Sequence, residues 1–399
     1  MPTQDLPQII PYGTQVIDAS DIASVVSVLQ GSHLTQGPAI AGFEDALSEW
    51  LDGAEVVAVS NGTAALHLAC AVLGLGAGDV GVTTPISFAA SANGFLYCGA
   101  DAVFTDVDPL TGLMCPKALD RTLAELNRKG QRPGVVVAVS LAGRVADMRA
   151  MRSICNAYGW RLVEDAAQSL MAHGADGVKS ASCAHSDMAT LSFHPVKHIT
   201  TGEGGAVVTR DATLAARLRL LRSHGIEKPW AHDSGDDLHE PAWFYRQIAL
   251  GWNYRMCDMQ AALGESQMLK AELFLRDRRA VAERYDRWLQ QDPFEGVLRS
   301  VPGDAGHAYH LYVVHWADES TRNRAFAFLR KRGVITQVHH VPIYRHPYYE
   351  QRYGPQRFAG AEAYYAGCMS LPMYPGLSER DQAYVVESLA EFVRLQIGN

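Results

Sequence analysis

Short runs of β-branched and other apolar residues alternate with stretches of helical periodicity through the first two-thirds of the chain. Glu55-Val56-Val57-Ala58-Val59-Ser60 is one such run. Thr63 to Leu73 follows it with apolar side chains at 65, 68, 69 and 72, the one-sided stripe of a helix. Runs at 102–105, 135–140, 161–165, 188–193 and 205–209 predict further strands, with helices over 147–158 and 211–221. Strands separated by helices need crossover connections, so the sheet is expected to be largely parallel. Val135-Val136-Val137-Ala138-Val139 is apolar at every position, the pattern of a strand covered on both faces.

From 226 to 250 the pattern dissolves into EKPWAHDSGDDLHEPAWF, polar and rich in turn formers. It reads as a long surface excursion, because WNYRMCDMQAALGESQML follows as an amphipathic helix. A second, smaller unit is expected from about 270, with a charged helix over 272–290, a strand at 310–316, a helix at 319–331 and a strand at 334–339. The chain therefore reads as α/β, a large domain over 1–270 with an N-terminal arm at about 1–20, followed by a smaller α+β domain over 271–399.

Composition narrows the function. Among 399 residues, 35 Lys and Arg face 43 Asp and Glu, a net charge of −8 that gives no basic face for nucleic acid. No apolar run reaches the ~18 residues of a membrane span, and MPTQDLPQII lacks the basic and apolar regions of an export signal. Seven scattered cysteines without a C-x-x-C pair fit a reducing cytoplasm, and neither a disulfide framework nor a zinc site. The expectation is a soluble cytoplasmic protein without a metal.

Three segments carry chemistry. In Leu191-Ser192-Phe193-His194-Pro195-Val196-Lys197-His198 a strand ends and presents a lysine in a short loop, which returns through Gly202, Gly204 and Gly205. Desolvation lowers the pKa of a lysine at a sheet edge and suits it to Schiff-base chemistry. Taken alone, Lys197 reads as one exposed loop lysine among many. In Ser60-Asn61-Gly62-Thr63-Ala64-Ala65 a strand gives way to a helix N-terminus, a place for phosphate, although in isolation Thr63 reads better as a plain N-cap. In Val163-Glu164-Asp165-Ala166-Ala167-Gln168 a strand ends in acids. A buried Asp165 needs a partner, either a protonated pyridine nitrogen or an internal Arg or Lys. Phosphate cradle, pyridinium-facing carboxylate and lysine are together the needs of pyridoxal 5′-phosphate (PLP).

SFHPVKHITTGEGG, SNGTAAL and EDAAQS resemble the DegT/DnrJ/EryC1/StrS family of PLP-dependent sugar aminotransferases. HLTQGPAIAGFEDAL, TTPISFAASANGFLYCGADAVFTDVD, LRSHGI, GWNYRMCDMQAALG and RGVITQVHHVPIY extend the likeness from about Ile10 to Leu395. The resemblance implies the aspartate aminotransferase-like architecture called fold type I. It also implies that Lys197 carries the cofactor, that Gly62, Thr63 and Ser192 meet its phosphate, and that Asp165 faces the pyridine nitrogen. Gln168 would lie on the phenolic-oxygen side of the ring, with Phe88 stacked on it. Asn253 would reach the phosphate bound by a neighbouring subunit, which implies a homodimer with shared active sites. L-Glutamate would give its amine to the cofactor and a keto-sugar would receive it.

Within the family, SHLTQG, TTPISFAASAN, SFHPVKHITTGEGGAVVT and GVITQVHHVPIY most resemble the aminotransferases of pseudaminic acid biosynthesis, which act at C4 of a UDP-4-keto-6-deoxy-N-acetylhexosamine. By that analogy Tyr12, His33, Leu34, Thr35, Gln337, His339 and His340 touch the nucleotide-sugar. Such members often read EDAAHA where this chain has EDAAQS. Gln168 is common in the wider family, so the difference bears on the sugar and not on PLP. A C3 or C4 keto-sugar of an O-antigen or antibiotic is the alternative. The sugar dehydratases of this fold carry His at the lysine position, which Lys197 disfavours, and a non-catalytic homologue would show erosion that none of these positions shows. His339 and His340, read as neighbours on a strand, point to opposite faces and do not chelate one ion. Arg255 is open between a UDP phosphate and a surface ion pair. The tyrosines of 346–354 are open between a uracil platform and a dimer contact.

Overall fold

The computed structural model describes residues 9–228, 243–301 and 303–397. Helices α1 (Ala19–Gln30) and α2 (Pro38–Trp50) lead into β1 (Glu55–Val59), α3 (Gly62–Val72), β2 (Val80–Thr83), α4 (Ala90–Tyr97) and β3 (Asp101–Phe104). Next come α5 (Pro116–Arg128), β4 (Val135–Val139), α6 (Met148–Tyr158), β5 (Arg161–Asp165), β6 (Met188–Ser192), β7 (Gly205–Thr209) and α7 (Ala212–Leu221). The two-residue strands β8 (Ile226–Glu227) and β9 (Arg246–Gln247) pair with each other and precede α8 (Asp258–Met268). The remainder holds α9 (Ala271–Leu289), β10 (Arg299–Ser300), β11 (Tyr312–His315), α10 (Glu319–Lys331), α11 (Pro347–Tyr353), α12 (Ala359–Gly367), β12 (Cys368–Leu371) and α13 (Glu379–Ile397). No helix among the described residues is long and apolar enough to cross a membrane.

Seven strands form the main sheet in the order β1-β7-β6-β5-β4-β2-β3. Every neighbouring pair is parallel except the two made by β7, which follows β6 through the Lys197 loop without a crossover helix. Alternation along the strands sorts the layers. Val57, Val59, Val135, Val137, Val163 and Val207 pack with α3, α4 and α7. On the other face, Val56, Ala58, Ala189, Leu191 and Val208 pack with α2 and α8, and Val136, Ala138 and Leu162 with α5 and α6. Asp165, two residues beyond Val163, therefore shares the face of α3 and α4, whereas Glu164 points the opposite way. Glu164 is satisfied there by the hydroxyls of Ser140 and Ser180 and the amide of Ala181.

The C-terminal elements surround a three-stranded antiparallel sheet, β10-β11-β12. Their core joins Val281, Tyr285 and Leu289 of α9 to Val314, Leu329, Leu389 and Val393, and it takes in Ile10 from the other end of the chain. Residues 334–339 are not a strand, in correction of the sequence expectation. Val334 bridges only to Ile10 and Gln337 only to Ser370, so the segment lies between two partners and forms a ladder with neither. The amphipathic segment after 250 becomes helical only at Asp258. Of the long excursion, residues 229–242 lie outside the described residues.

Candidate active site

The N-terminus of α3 is built by Asn61, not Thr63. Extended backbone at Asn61 lets its carboxamide oxygen accept from the Ala64 amide at 2.8 Å, which takes the capping role expected of Thr63. The amides of Gly62 and Thr63 are left without a partner among the described residues, as the first turn of a helix leaves them. Glycine is required where this turn meets the sheet. A Cβ on Gly62 would lie 2.9 Å from Ser192 Cβ, and one on Gly205, opposite Ser192 in the ladder, would lie 2.6 Å from the Asn61 carbonyl. Two donors, the positive end of a helix dipole and the Ser192 side chain thus share one small cradle, and an anion fits it.

Beside the cradle, Asp165 ends β5 with 4 % of its surface exposed. Ser91 Oγ on α4 donates to its Oδ2 at 2.7 Å, and the Ala167 amide donates to its Oδ1 at 3.2 Å. Burial pushes this carboxyl up, against the pull of those donors and of the Lys197 ammonium. Lys197 feels the converse: desolvation brings its amine down from 10.5 to about 8, opposed by attraction to Asp165. A buried carboxylate and an amine of lowered pKa, each within reach of the other's charge, thus lie at the carboxyl edge of a largely parallel sheet, where such folds bind ligands.

Gln168, also buried, accepts at Oε1 from the Ala142 amide at 2.8 Å and sets its Nε2 against His340 Nε2 at 3.4 Å. Phe88 is 65 % exposed at the rim, its ring 6.4 Å from that of His340. His339 bonds through Nδ1 to Ser370 Oγ at 2.8 Å, and its ring lies 5.6 Å from that of Tyr12. The two histidines do not sit on a strand, and each has its own partner. Desolvation lowers the pKa of both. Gln337 is exposed beside them.

The other predicted residues lie apart. His33, Leu34 and Thr35 are exposed and tied to the start of α8. The Leu34 carbonyl accepts from the Asp258 amide at 3.0 Å, Thr35 bridges to Cys257, and His33 bonds its neighbour Ser32. Asn253 is exposed and bridges to Ser223 at the end of α7. No hydrogen bond or ring contact joins any of these four to the Lys197 group among the described residues. The hydroxyls of Tyr349 and Tyr353 of α11 bond Asn93 and the Ala102 amide, which pins α11 to the main sheet layer. Ser91, Ala142 and Arg278, all in the structure's contacts around the site, escaped sequence reasoning because each reaches it from a distant segment.

Residues 15–390 match the model of the DegT/DnrJ/EryC1/StrS aminotransferase family. The chain is 32% identical over 393 residues to the spore coat polysaccharide biosynthesis protein SpsC of Bacillus subtilis, covering 96% of this chain and 97% of that one. It is 31% identical over 382 residues to a Campylobacter jejuni UDP-4-amino-4,6-dideoxy-N-acetyl-beta-L-altrosamine transaminase, covering 95% and 96%. Among solved structures, Helicobacter pylori PseC, an aminotransferase of pseudaminic acid biosynthesis, superposes with a TM-score of 0.87 at 27% identity over 97% of this chain and 100% of that one. With the cradle, the acid and the lysine at one sheet edge, the chain belongs to the DegT/DnrJ/EryC1/StrS aminotransferase family, whose members are PLP-dependent enzymes.

Proposed function

We propose that this enzyme moves an amino group from L-glutamate to the C4 keto group of a UDP-4-keto-6-deoxy-N-acetylhexosamine, acting as a cytoplasmic homodimer. The observation that carries the catalytic part is the placement of Asp165 at the end of β5 and Lys197 in the loop after the adjacent β6, within reach of each other's charge and with the Gly62 and Thr63 amides at the same edge unpartnered among the described residues. In this reading residues 1–270 bind the cofactor and 271–399 form the small domain. Gly62, Thr63 and Ser192 hold the phosphate, Asp165 the pyridine nitrogen, Gln168 Nε2 the phenolic oxygen, and Phe88 covers the ring.

PLP supplies an electron sink for the pair left when a Cα–H bond breaks. The chain's own residues do the rest. Asp165, whose ionised form is favoured by the Ser91 hydroxyl and the Ala167 amide against the burial that raises its pKa, would hold a proton on the ring nitrogen. Lys197 Nζ, with a pKa brought down to about 8, takes and returns the proton between carbon atoms. His339, His340, Tyr12 and Gln337 line the approach on the chain's own side. The displaced group His33, Leu34, Thr35 and Asn253 fits a role in the neighbouring subunit's site. Leu34, Phe88, Tyr97 and Leu250 are exposed apolar side chains that a second subunit would cover. Arg255, next to Asn253, has no carboxylate partner among the described residues and suits a phosphate of UDP.

The likeness to the C. jejuni transaminase supports this sugar and nucleotide, and the likeness to PseC supports the pseudaminic acid pathway. The test follows the visible band of the PLP-loaded enzyme. L-Glutamate should bleach it, and UDP-2-acetamido-2,6-dideoxy-β-L-arabino-hex-4-ulose should restore it. Bleaching without restoration removes this sugar and leaves other keto-sugars of the family. Absence of any band removes the assignment of the site.

A further inference from the structure

Arg278, in the middle of α9, is 1 % exposed, and its lowered pKa has burial as its sole cause, with no opposite charge opposing it. A buried guanidinium ordinarily sits against a carboxylate, because desolvating an unpaired charge costs several kcal/mol. Here four backbone carbonyls stand in for the acid. Nη1 donates to Tyr309 at 3.1 Å, His310 at 3.3 Å and Met373 at 3.3 Å, and Nη2 donates to the carbonyl of Lys197 at 3.4 Å. The Nε–H has no partner among the described residues. One planar fork therefore ties the lysine's own backbone to the segment before β11 and the segment after β12.

The segment at the other end of that fork is strained and leads back to the site. Tyr309 adopts φ +46 and Ala142 φ +59, a region that costs non-glycine residues about 1 kcal/mol or more. These two residues belong to one chain of contacts. Gln168 Oε1 accepts from the Ala142 amide, the Ala142 carbonyl accepts from Leu311, and the Gly143 carbonyl accepts from Ala308. The Ala308 carbonyl in turn meets His198 Nε2 at 3.1 Å, next to Lys197. A Cβ on Gly143 would lie 2.6 Å from the amides of Tyr309 and His310, so the two strands of this path are in backbone contact. The path runs from Gln168 through 142–143 and 308–311 to Arg278, and from there to the Lys197 carbonyl.

We infer that Arg278 is a positioning residue: by holding the Lys197 carbonyl to the 309–310 and 373 segments it sets where the lysine amine stands relative to Asp165 and Gln168. The inference rests on the assignment of Lys197 as the cofactor lysine. A single carboxylate would tie the guanidinium to one segment, whereas these four carbonyls tie it to three, at 197, 309–310 and 373. Lysine at this position keeps the charge and loses the fork.

Arg278→Lys and Arg278→Met would be compared with wild type as PLP-free protein. Thermal unfolding checks the fold. The rate at which added PLP becomes attached to Lys197 is read by borohydride trapping and peptide mass, the Nζ adding to the aldehyde carbon with loss of one water. The kcat and KM for L-glutamate are then measured on the loaded proteins. The expected result is attachment slowed about tenfold or more and kcat lowered about 30-fold in Arg278→Met, with KM changed less than about threefold, since small misplacement of a reacting group acts on rate. Arg278→Lys should fold as wild type and show the same split at smaller amplitude. Attachment and kcat within about threefold of wild type in a folded Arg278→Lys and Arg278→Met would overturn the inference. If Arg278→Met does not fold, Arg278→Lys alone decides by the same limits. A wild-type protein that traps no PLP on Lys197 would instead overturn the site assignment beneath it.

Discussion

Ser91 and Asp165 are separated by 74 residues in sequence and joined by a hydrogen bond of 2.7 Å, the hydroxyl donating to the carboxylate. Ser91 is itself 2.7 Å from Ser87 Oγ, so the donor is oriented from within its own helix region. The bond lowers the pKa of a carboxyl that burial raises. Ser91→Ala should therefore leave Asp165 more readily protonated and weaken its hold on a ring nitrogen. A hydrogen bond to a charged group contributes about 1.5–3 kcal/mol, so kcat should fall on the order of tenfold to a hundredfold. Asp165→Asn, which removes the charge itself, should be worse than Ser91→Ala. Steady-state transamination of both variants checks this, and equal losses would count against the order of roles.

Lys197 gives a stability prediction whose sign is fixed by its depressed pKa. Burial brings the amine from 10.5 to about 8, so between those values the unfolded chain binds a proton that the folded chain does not. Stability from this group consequently rises with pH across that window, and below about 8 the fold carries a buried ammonium. The PLP-free Lys197→Met protein should be more stable than wild type below pH 8, by on the order of 2 kcal/mol. The difference should close as pH approaches 10.5. Urea unfolding of the two proteins across the range measures it. A constant difference would mean that Lys197 is not desolvated in the cofactor-free fold.

The sheet was legible where its strands are buried on both faces: β1, β4, β6 and β7 are mostly apolar runs, β5 keeps Leu162-Val163 between charged residues, and each lies within a residue or so of its expected span. β2, with only Val80-Gly81-Val82-Thr83, was not, because Gly81 interrupts the run where the Phe95 ring packs on the strand. The 334–339 segment misled because its alternation reflects burial between Ile10 and Ser370 and not a ladder. The site was legible only where its chemistry is local in sequence, at 61–63, at 164–168 and at 192–205. Ser91 looks like any small helix residue and Arg278 like any charge on an amphipathic helix. Nothing short of the folded chain brings them to Asp165 and Lys197.

Gly205 tests the cradle sterically. A methyl group there meets the backbone of Asn61 and Gly62 at 2.6 and 2.7 Å, and backbone cannot swing away as a side chain does. Gly205→Ala should push β7 from the N-terminus of α3 and displace the two unpartnered amides from the phosphate position. Overpacking of this kind costs about 1–3 kcal/mol, and the PLP dissociation constant should rise at least about tenfold. Gly53→Ala is a poor control because Gly53 has φ +76, whereas Gly76→Ala faces open space without a positive φ and should bind PLP as wild type does. Titration of the visible band against PLP reads both.

The separation of Asn253 from Lys197 leads to a prediction about assembly. If Asn253 serves the neighbour's cofactor, Lys197→Met and Asn253→Ala impair different halves of each composite site. Two such chains, coexpressed with different tags, form mixed dimers in which one site combines both lesions and the other combines neither. With random pairing, about half of all dimers are mixed and each has one intact site, so about a quarter of wild-type activity should return. If Asn253 instead served its own chain's site, each site of the mixed dimer would hold one lesion, and purified mixed dimers would be no more active than the Asn253→Ala parent contributes. Tandem-tag purification followed by the glutamate half-reaction separates these outcomes.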